Sequence, residues 1–161
     1  MTKNTSGWKW FFGVLALLTV SASVSLIWYS QAQQLRPEQF EAAAAHWAKH
    51  KPRSYRLRYK DTFSSQAGET TTNDYAVEVR DGKVVEVLVN GSPKAERLEY
   101  HDMEGLFSTI ERFLDLDEKE KRKVYRIGVF DPESGALRRY VRRVMASRER
   151  QEIIVEPLQA E

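Results

Sequence analysis

The chain has 161 residues, with 25 Lys and Arg against 23 Asp and Glu for a formal net charge of +2, and no cysteine. That near balance excludes a global electrostatic pull on nucleic acid. Without cysteine there is no disulfide framework and no residue for a lipoprotein's acyl anchor.

The N-terminal segment carries a signal of its own. Trp10 to Leu35 is an uncharged run of 26 residues, preceded by Lys3 and Lys9 as the only charges. Residues 10–29 are expected to form a transmembrane helix, because about 20 apolar residues at about 1.5 Å each cross a hydrocarbon core of roughly 30 Å. Ten strongly apolar side chains between Phe11 and Ile27 favour insertion by about 3 to 6 kcal/mol together. Thr19, Ser21, Ser23 and Ser25 oppose it little, since their hydroxyls can bond back to helix carbonyls. Trp8 and Trp10 at one end, with Trp28 and Tyr29 at the other, suit the two membrane interfaces. Residues 1–9 then form a short cytoplasmic tail, 30–36 a connector, and the remainder an extracytoplasmic domain of the cell envelope, by the positive-inside bias. The competing reading is a signal peptide cleaved after Ala22 or Ala32, giving a secreted domain. Cleavage after Ala22 would leave Ser23 to Tyr29 as an apolar terminus with nothing to bury it, so a retained single-pass anchor is the stronger expectation.

Residues 37–157 suffice for one compact domain and are too few for two. Pro37 suits a first helical turn, Phe40, Ala43, Ala44 and Trp47 recur at helical spacing, and Pro52 ends the run, which predicts a helix over Pro37 to His50. Ser54 to Phe63 alternates Tyr55, Leu57 and Tyr59 with Arg56, Arg58 and Lys60 and reads as a half-buried strand. After a turn over Ser64 to Thr70, a second strand places Tyr75, Val77 and Val79 on one face. Asp81-Gly82 then closes a hairpin into Val84 to Val89. Asn90 to Pro93 is expected to end this sheet unit, and Arg97 to Tyr100 to be extended.

Asp102 is a good N-cap, and Leu106, Phe107, Ile110, Phe113 and Leu114 make the buried stripe of a helix over Met103 to Leu116. Asp117 to Lys123 reads as a solvated linker, Val124 to Phe130 as a strand and Asp131 to Gly135 as its turn. The stretch Ala136 to Gln151 has helical periodicity in Leu137, Tyr140, Val141, Val144 and Met145. Topology favours a strand there, since the closing strand Gln151 to Glu156 otherwise lacks a neighbour. Residues 158–161 are expected to be a tail. The predicted architecture is α+β: two tandem helix-plus-three-strand units whose helices pack on one antiparallel sheet.

Charge is segregated along the domain: Arg36 to Lys60 carries +5, Asp61 to Glu120 −9 and Lys121 to Glu161 +4. The plain expectation is that these blocks neutralise one another across neighbouring strands. The alternative is a polarised surface that recruits a charged partner.

The series Trp47, Ser54-Tyr55-Arg56-Leu57-Arg58-Tyr59, Val77 to Val84, Met103-Glu104-Gly105-Leu106-Phe107, Tyr125-Arg126-Ile127, Phe130-Asp131-Pro132 and Gly135 resembles bacterial domain-of-unknown-function family 6174, over roughly His46 to Val155. The resemblance implies an exported or membrane-anchored protein and brings no catalytic residues with it. Many members of the family it resembles have a proline soon after the turn glycine, where this chain has Ala136 and Leu137.

Candidate sites are few. His46 and His50 lie four apart on a helix, a zinc-ligand spacing, but the general-base glutamate of the metalloprotease motif is missing, and His101 is the only other histidine. Arg138, Arg139, Arg142 and Arg143 offer contacts to an anionic ligand, set against a reading as a charged, solvated edge. Asp115 and Asp117 sit in a polar stretch without apolar surface to shift a pKa. No catalytic, metal or cofactor residue is therefore expected. The function expected is a non-enzymatic binding or scaffolding domain, with the lipid bilayer through residues 10–29 and an unidentified envelope protein or polymer as partners. The alternative is an envelope hydrolase with a site assembled from residues distant in sequence.

Overall fold

A computed structural model describes residues 34–160 without a break, together with residues 11, 12, 14, 15, 17, 19 and 21. The chain forms two compact units, Met1–Gln34 and Leu35–Glu161. In the first, the described residues between 11 and 21 are helical, and Phe11, Phe12, Val14, Leu15 and Leu17 are exposed. The Thr19 hydroxyl donates to the Leu15 carbonyl at 2.8 Å, the back-bonding expected of a hydroxyl in an apolar helix. Among the described residues no helix is long and apolar enough to cross a membrane. Most of the expected span 10–29, and the interface residues Trp8, Trp10, Trp28 and Tyr29, lie outside the described residues.

The second unit is built from helices α1 (Pro37–His50) and α2 (Met103–Lys119) and strands β1 (Tyr55–Ser64), β2 (Thr70–Arg80), β3 (Lys83–Val89), β4 (Ser92–Pro93), β5 (Val124–Phe130), β6 (Leu137–Val144), β7 (Arg150–Val155) and β8 (Gln159–Ala160). The strands form one antiparallel sheet in the order β4-β3-β2-β1-β7-β6-β5, with β8 pairing the start of β1. The fold is thus α+β, and the sheet's two blocks of strands meet where β1 pairs with β7. Asp81 and Gly82 both take positive φ, 50° and 73°, the type I′ geometry whose twist matches that of the flanking strands.

One face of the sheet carries the core. Tyr55, Leu57 and Tyr59 of β1, Val77 and Val79 of β2, Tyr140 of β6 and Ile153 of β7 are buried on it. Trp47 of α1 meets Tyr55 edge-on at 5.6 Å, Phe40 of α1 lies 5.7 Å from Phe107 of α2, and Phe107 stacks on Phe130 at 6.0 Å. The opposite face is uncovered, with Arg56, Arg58 and Lys60 exposed on β1 and Ile154 46% exposed on β7. Register places Arg56 opposite Glu78 and Lys60 opposite Asp74, and Arg139 of β6 bonds Glu152 of β7 at 2.6 Å. Charge blocks distant in sequence therefore meet on neighbouring strands.

Several expectations need correction. Residues 98–100 form a 3-10 turn, after an Arg97 held at φ 54°, and are not extended. Asn90 to Pro93 does not end the sheet; it reverses the chain into the two-residue β4. The expected tail at 158–161 contributes β8, which pairs with Tyr55 and Arg56. Asp117 does not belong to a solvated linker: α2 runs three residues beyond Leu116, and Asp117 is buried on its inner face. The reason is electrostatic, because two arginines of β5 and β6 meet its carboxylate there. Within the ambiguous Ala136 to Gln151 stretch, Leu137–Val144 is a strand, as topology favoured, and a turn over residues 145–149 leads into β7; β6 is no edge, since it lies between β5 and β7. Within the expected connector 30–36, Leu35 is buried and its N–H bonds the Arg126 carbonyl at 3.0 Å.

Candidate functional site

A pocket of about 210 Å³ opens where α1 ends, β1 begins and α2 starts; Lys51, Arg53, Tyr55, Asp102 and Glu104 line it. Each residue arrives by a separate local rule. Pro52 stops α1 and strands Lys51 at its C-terminal end. The alternation of β1 turns Tyr55 inward. Asp102 caps α2, its Oδ1 accepting from Gly105 N at 2.8 Å. Glu104 follows in the first turn, where a carboxylate complements the helix dipole. Gly105 is required beneath, since a Cβ there would lie 2.2 Å from the Tyr100 carbonyl oxygen.

The polar groups of this pocket are unequally satisfied. Lys51 Nζ donates to Glu104 Oε1 at 2.5 Å. Burial alone would raise the Glu104 pKa, but that bond holds the carboxyl below its usual range, and the same partner raises Lys51. Burial pushes the Asp102 carboxyl up, in spite of its cap bond. Tyr55 is only 2% exposed and its hydroxyl, closed off from solvent, makes no hydrogen bond of regular geometry; burial, then the charges of Glu104 and Asp102, raise its pKa, against the Met103 backbone, which lowers it. The neighbouring Trp47 indole N–H is likewise buried without a hydrogen bond of regular geometry, and it helps to hold the Glu104 carboxyl down.

A second concavity, about 490 Å³, lies on the uncovered sheet face. Ala76, Leu88 and Ile154 line it together with the charged Arg58, Lys60 and Asp74.

The four arginines singled out in the sequence are not brought together as one cationic surface. Arg138 pairs with Asp131 at 3.5 Å and Arg139 with Glu152 on β7, whereas Arg143 is exposed. Arg142 is fully buried: Nη2 and Nε grip Asp117 at 2.5 and 2.9 Å, Nη1 reaches Glu149 at 2.5 Å, and the guanidinium lies 4.9 Å from the Phe113 ring centre. Arg126 also bonds Asp117, and Arg122 bonds Glu149. The histidines weighed as metal ligands in the sequence make local contacts. His46 Nε2 donates to the Glu133 carbonyl and His50 Nδ1 to the His46 carbonyl, each at 2.9 Å. His101 stacks on Tyr75 at 5.1 Å and is hydrogen-bonded to the Tyr59 hydroxyl. Among the described residues no three His, Cys, Asp or Glu side chains converge as metal ligands.

Sequence reading missed the pocket and the buried Asp117. The second had a signal, for Asp117 continues the α2 stripe at the spacing Ile110, Leu114, Asp117. The pocket had none, because Tyr55 reads as core and Glu104 as a first-turn acid. No curated protein matches the chain. The Family of unknown function (DUF6174) matches residues 39–132, from α1 to the turn after β5, which includes every residue lining the pocket. With more than half its length matched, the chain belongs to that family.

Proposed function

We propose that the chain is a membrane-anchored, extracytoplasmic binding domain of the bacterial cell envelope, and that its ligand enters the Tyr55 pocket and leaves unchanged. The observation that carries the binding reading is the pocket of about 210 Å³ into which the end of α1, the start of β1 and the start of α2 bring Lys51, Tyr55, Asp102 and Glu104 together. The carboxylates that line it are already bonded, Asp102 to the α2 cap and Glu104 to Lys51, and no Ser, Thr, Cys or His is among the residues lining the pocket. Support for the anchor comes from the exposed apolar helical residues near the N-terminus and from the uncharged run that contains them. The N-terminus is then cytoplasmic, and an envelope protein or polymer supplies the ligand.

Two measurements test this. Alkaline extraction of membranes should leave the full chain in the pellet, with residues 37–157 open to external protease; a soluble chain beginning at Ser23 or Gln33 overturns the anchor. A fragment screen read by amide chemical shifts should move residues 51–55 and 102–105; shifts only at Ala76 and Leu88 would transfer binding to the outer groove. A hydrolase is the second reading, favoured by the opposed Asp102 and Glu104 carboxyls, one pushed up and one held down. Turnover of ester, amide or glycoside probes that Asp102→Asn abolishes would establish it.

A further inference from the structure

We infer that the uncovered face of β5, β6 and β7 docks on the bilayer surface, with the guanidinium groups of Arg139, Arg143 and Arg150 against anionic phospholipid headgroups. The inference rests on the anchored reading above and adds the orientation of the domain and the lipid it prefers.

Reach comes first. Leu35 is buried, its N–H bonds the Arg126 carbonyl of β5 at 3.0 Å, and a Cβ on Gly128 would lie 2.8 Å from the Leu35 side chain. The chain is therefore fixed to the β5 edge where it enters the domain. With residues 10–29 in the bilayer, residues 30–34 extend at most about 18 Å. Neighbouring strands lie about 4.8 Å apart, so β6 and β7 are within about 10 Å of β5. These three strands are the ones the tether holds nearest the headgroups, and β2 and β3 stand at the far side of the sheet.

Charge agrees with reach. Register sets Arg143 beside Arg150 across β6 and β7, and Glu152 lies between the cations, bonded by Arg139 at 2.6 Å and by Arg150 at 2.7 Å. Arg143 is exposed and, among the described residues, in no ion pair. Three arginines against one glutamate leave two positive charges in excess on this part of the face. Along β1 the cations are answered one for one. Arg56 stands opposite Glu78, Lys60 opposite Asp74, and Arg58 shares the outer groove with Glu156.

Apolar surface supplies the rest. Val129 and Ile154 flank Arg139 in register and are each 46% exposed, with Tyr125 and Ile127 half-buried on the same face. Such a surface suits the headgroup boundary, where guanidinium groups grip phosphate bidentately while the apolar side chains between them leave water. A second copy is a poorer occupant, because a two-fold axis through this patch would set its arginines against their own mates.

The chain has no cysteine, so Val129→Cys or Val85→Cys places a single fluorophore on β5 or on β3. The labelled full chain is reconstituted in phosphatidylcholine vesicles with or without phosphatidylglycerol, and a nitroxide on a lipid headgroup serves as quencher. Quenching should be stronger from Val129→Cys than from Val85→Cys, rise with phosphatidylglycerol and fall with added salt. Arg143→Gln changes an exposed side chain and should lower the docked-to-undocked ratio roughly fivefold. Equal quenching at the two sites, or a response to neither phosphatidylglycerol nor Arg143→Gln, overturns the docking while upholding the anchor. A Val129→Cys label silent in vesicles but shielded in native envelope membranes assigns the face to a protein or polymer and overturns the lipid assignment. A chain released from the vesicles by alkaline extraction overturns the anchor, and the docking with it.

Discussion

The two ends of α2 handle buried polarity in opposite ways. At the C-terminal end, Asp117 and Arg142 are fully buried, yet the bidentate pair, Arg126, Arg122 and Glu149 close a network in which every charge meets an opposite one. At the N-terminal end, the Tyr55 hydroxyl and Trp47 N–H are closed off from solvent without hydrogen bonds of regular geometry, behind a pocket where Asp102 and Glu104 are half in solvent. A completed network locks β5, β6 and α2 into one arrangement. An incomplete one fixes that end less tightly, beside the pocket.

The contrast breaks most visibly at Asp117. Replacing it with alanine strands the Arg142 guanidinium in the interior, and urea denaturation should show a loss of about 3 to 5 kcal/mol. The pH dependence has a sign that differs between the ends. The arginine bonds overcome the burial cost and hold the Asp117 carboxyl below its ordinary 3.8, so its contribution is present above that value and is lost as pH falls through the lower folded value. Burial holds Asp102 above 3.8, so its ionisation costs stability as pH rises from 3.8 through the raised value. Asp117→Asn should flatten the acid limb of a stability profile, and Asp102→Asn should remove the loss on the other side.

Gly135 is next in size. It sits at φ +76°, and a Cβ there would lie 2.6 Å from the Ala43 carbonyl of α1. Gly135→Ala should cost more than about 2 kcal/mol, through left-handed strain and collision with the α1 backbone, read as a lower Tm. Lys51→Met removes a half-exposed ion pair and should change stability by less than about 1 kcal/mol in thermal denaturation. Tyr55→Phe should have the smallest effect, a Tm unchanged or slightly raised, since it deletes a hydroxyl that makes no hydrogen bond of regular geometry. A large destabilisation there would mean that the hydroxyl has a partner in solution and that both ends of α2 are closed.

Much of the fold was legible because local rules agreed with one another. Apolar recurrence at helical spacing placed α1 at Pro37–His50, Asp102 marked the start of α2, and Asp81-Gly82 set the β2–β3 hairpin. Legibility failed where tertiary partners overrode polarity. Asp117 and Arg142 read as solvent residues, and their burial depends on each other across 25 positions of sequence.

The sequence alone therefore determined the uncharged N-terminal run, the two helices, the alternating strands and the antiparallel α+β plan, because each follows from spacings of a few residues. Only the tertiary structure decided that β7 lies beside β1, that Arg142 is core while Arg143 is surface, and that Lys51, Tyr55, Asp102 and Glu104 share one pocket. The physical reason is range: helical and strand periodicities act between near neighbours, whereas the desolvation and pairing of charged groups depend on which distant segments the sheet brings together.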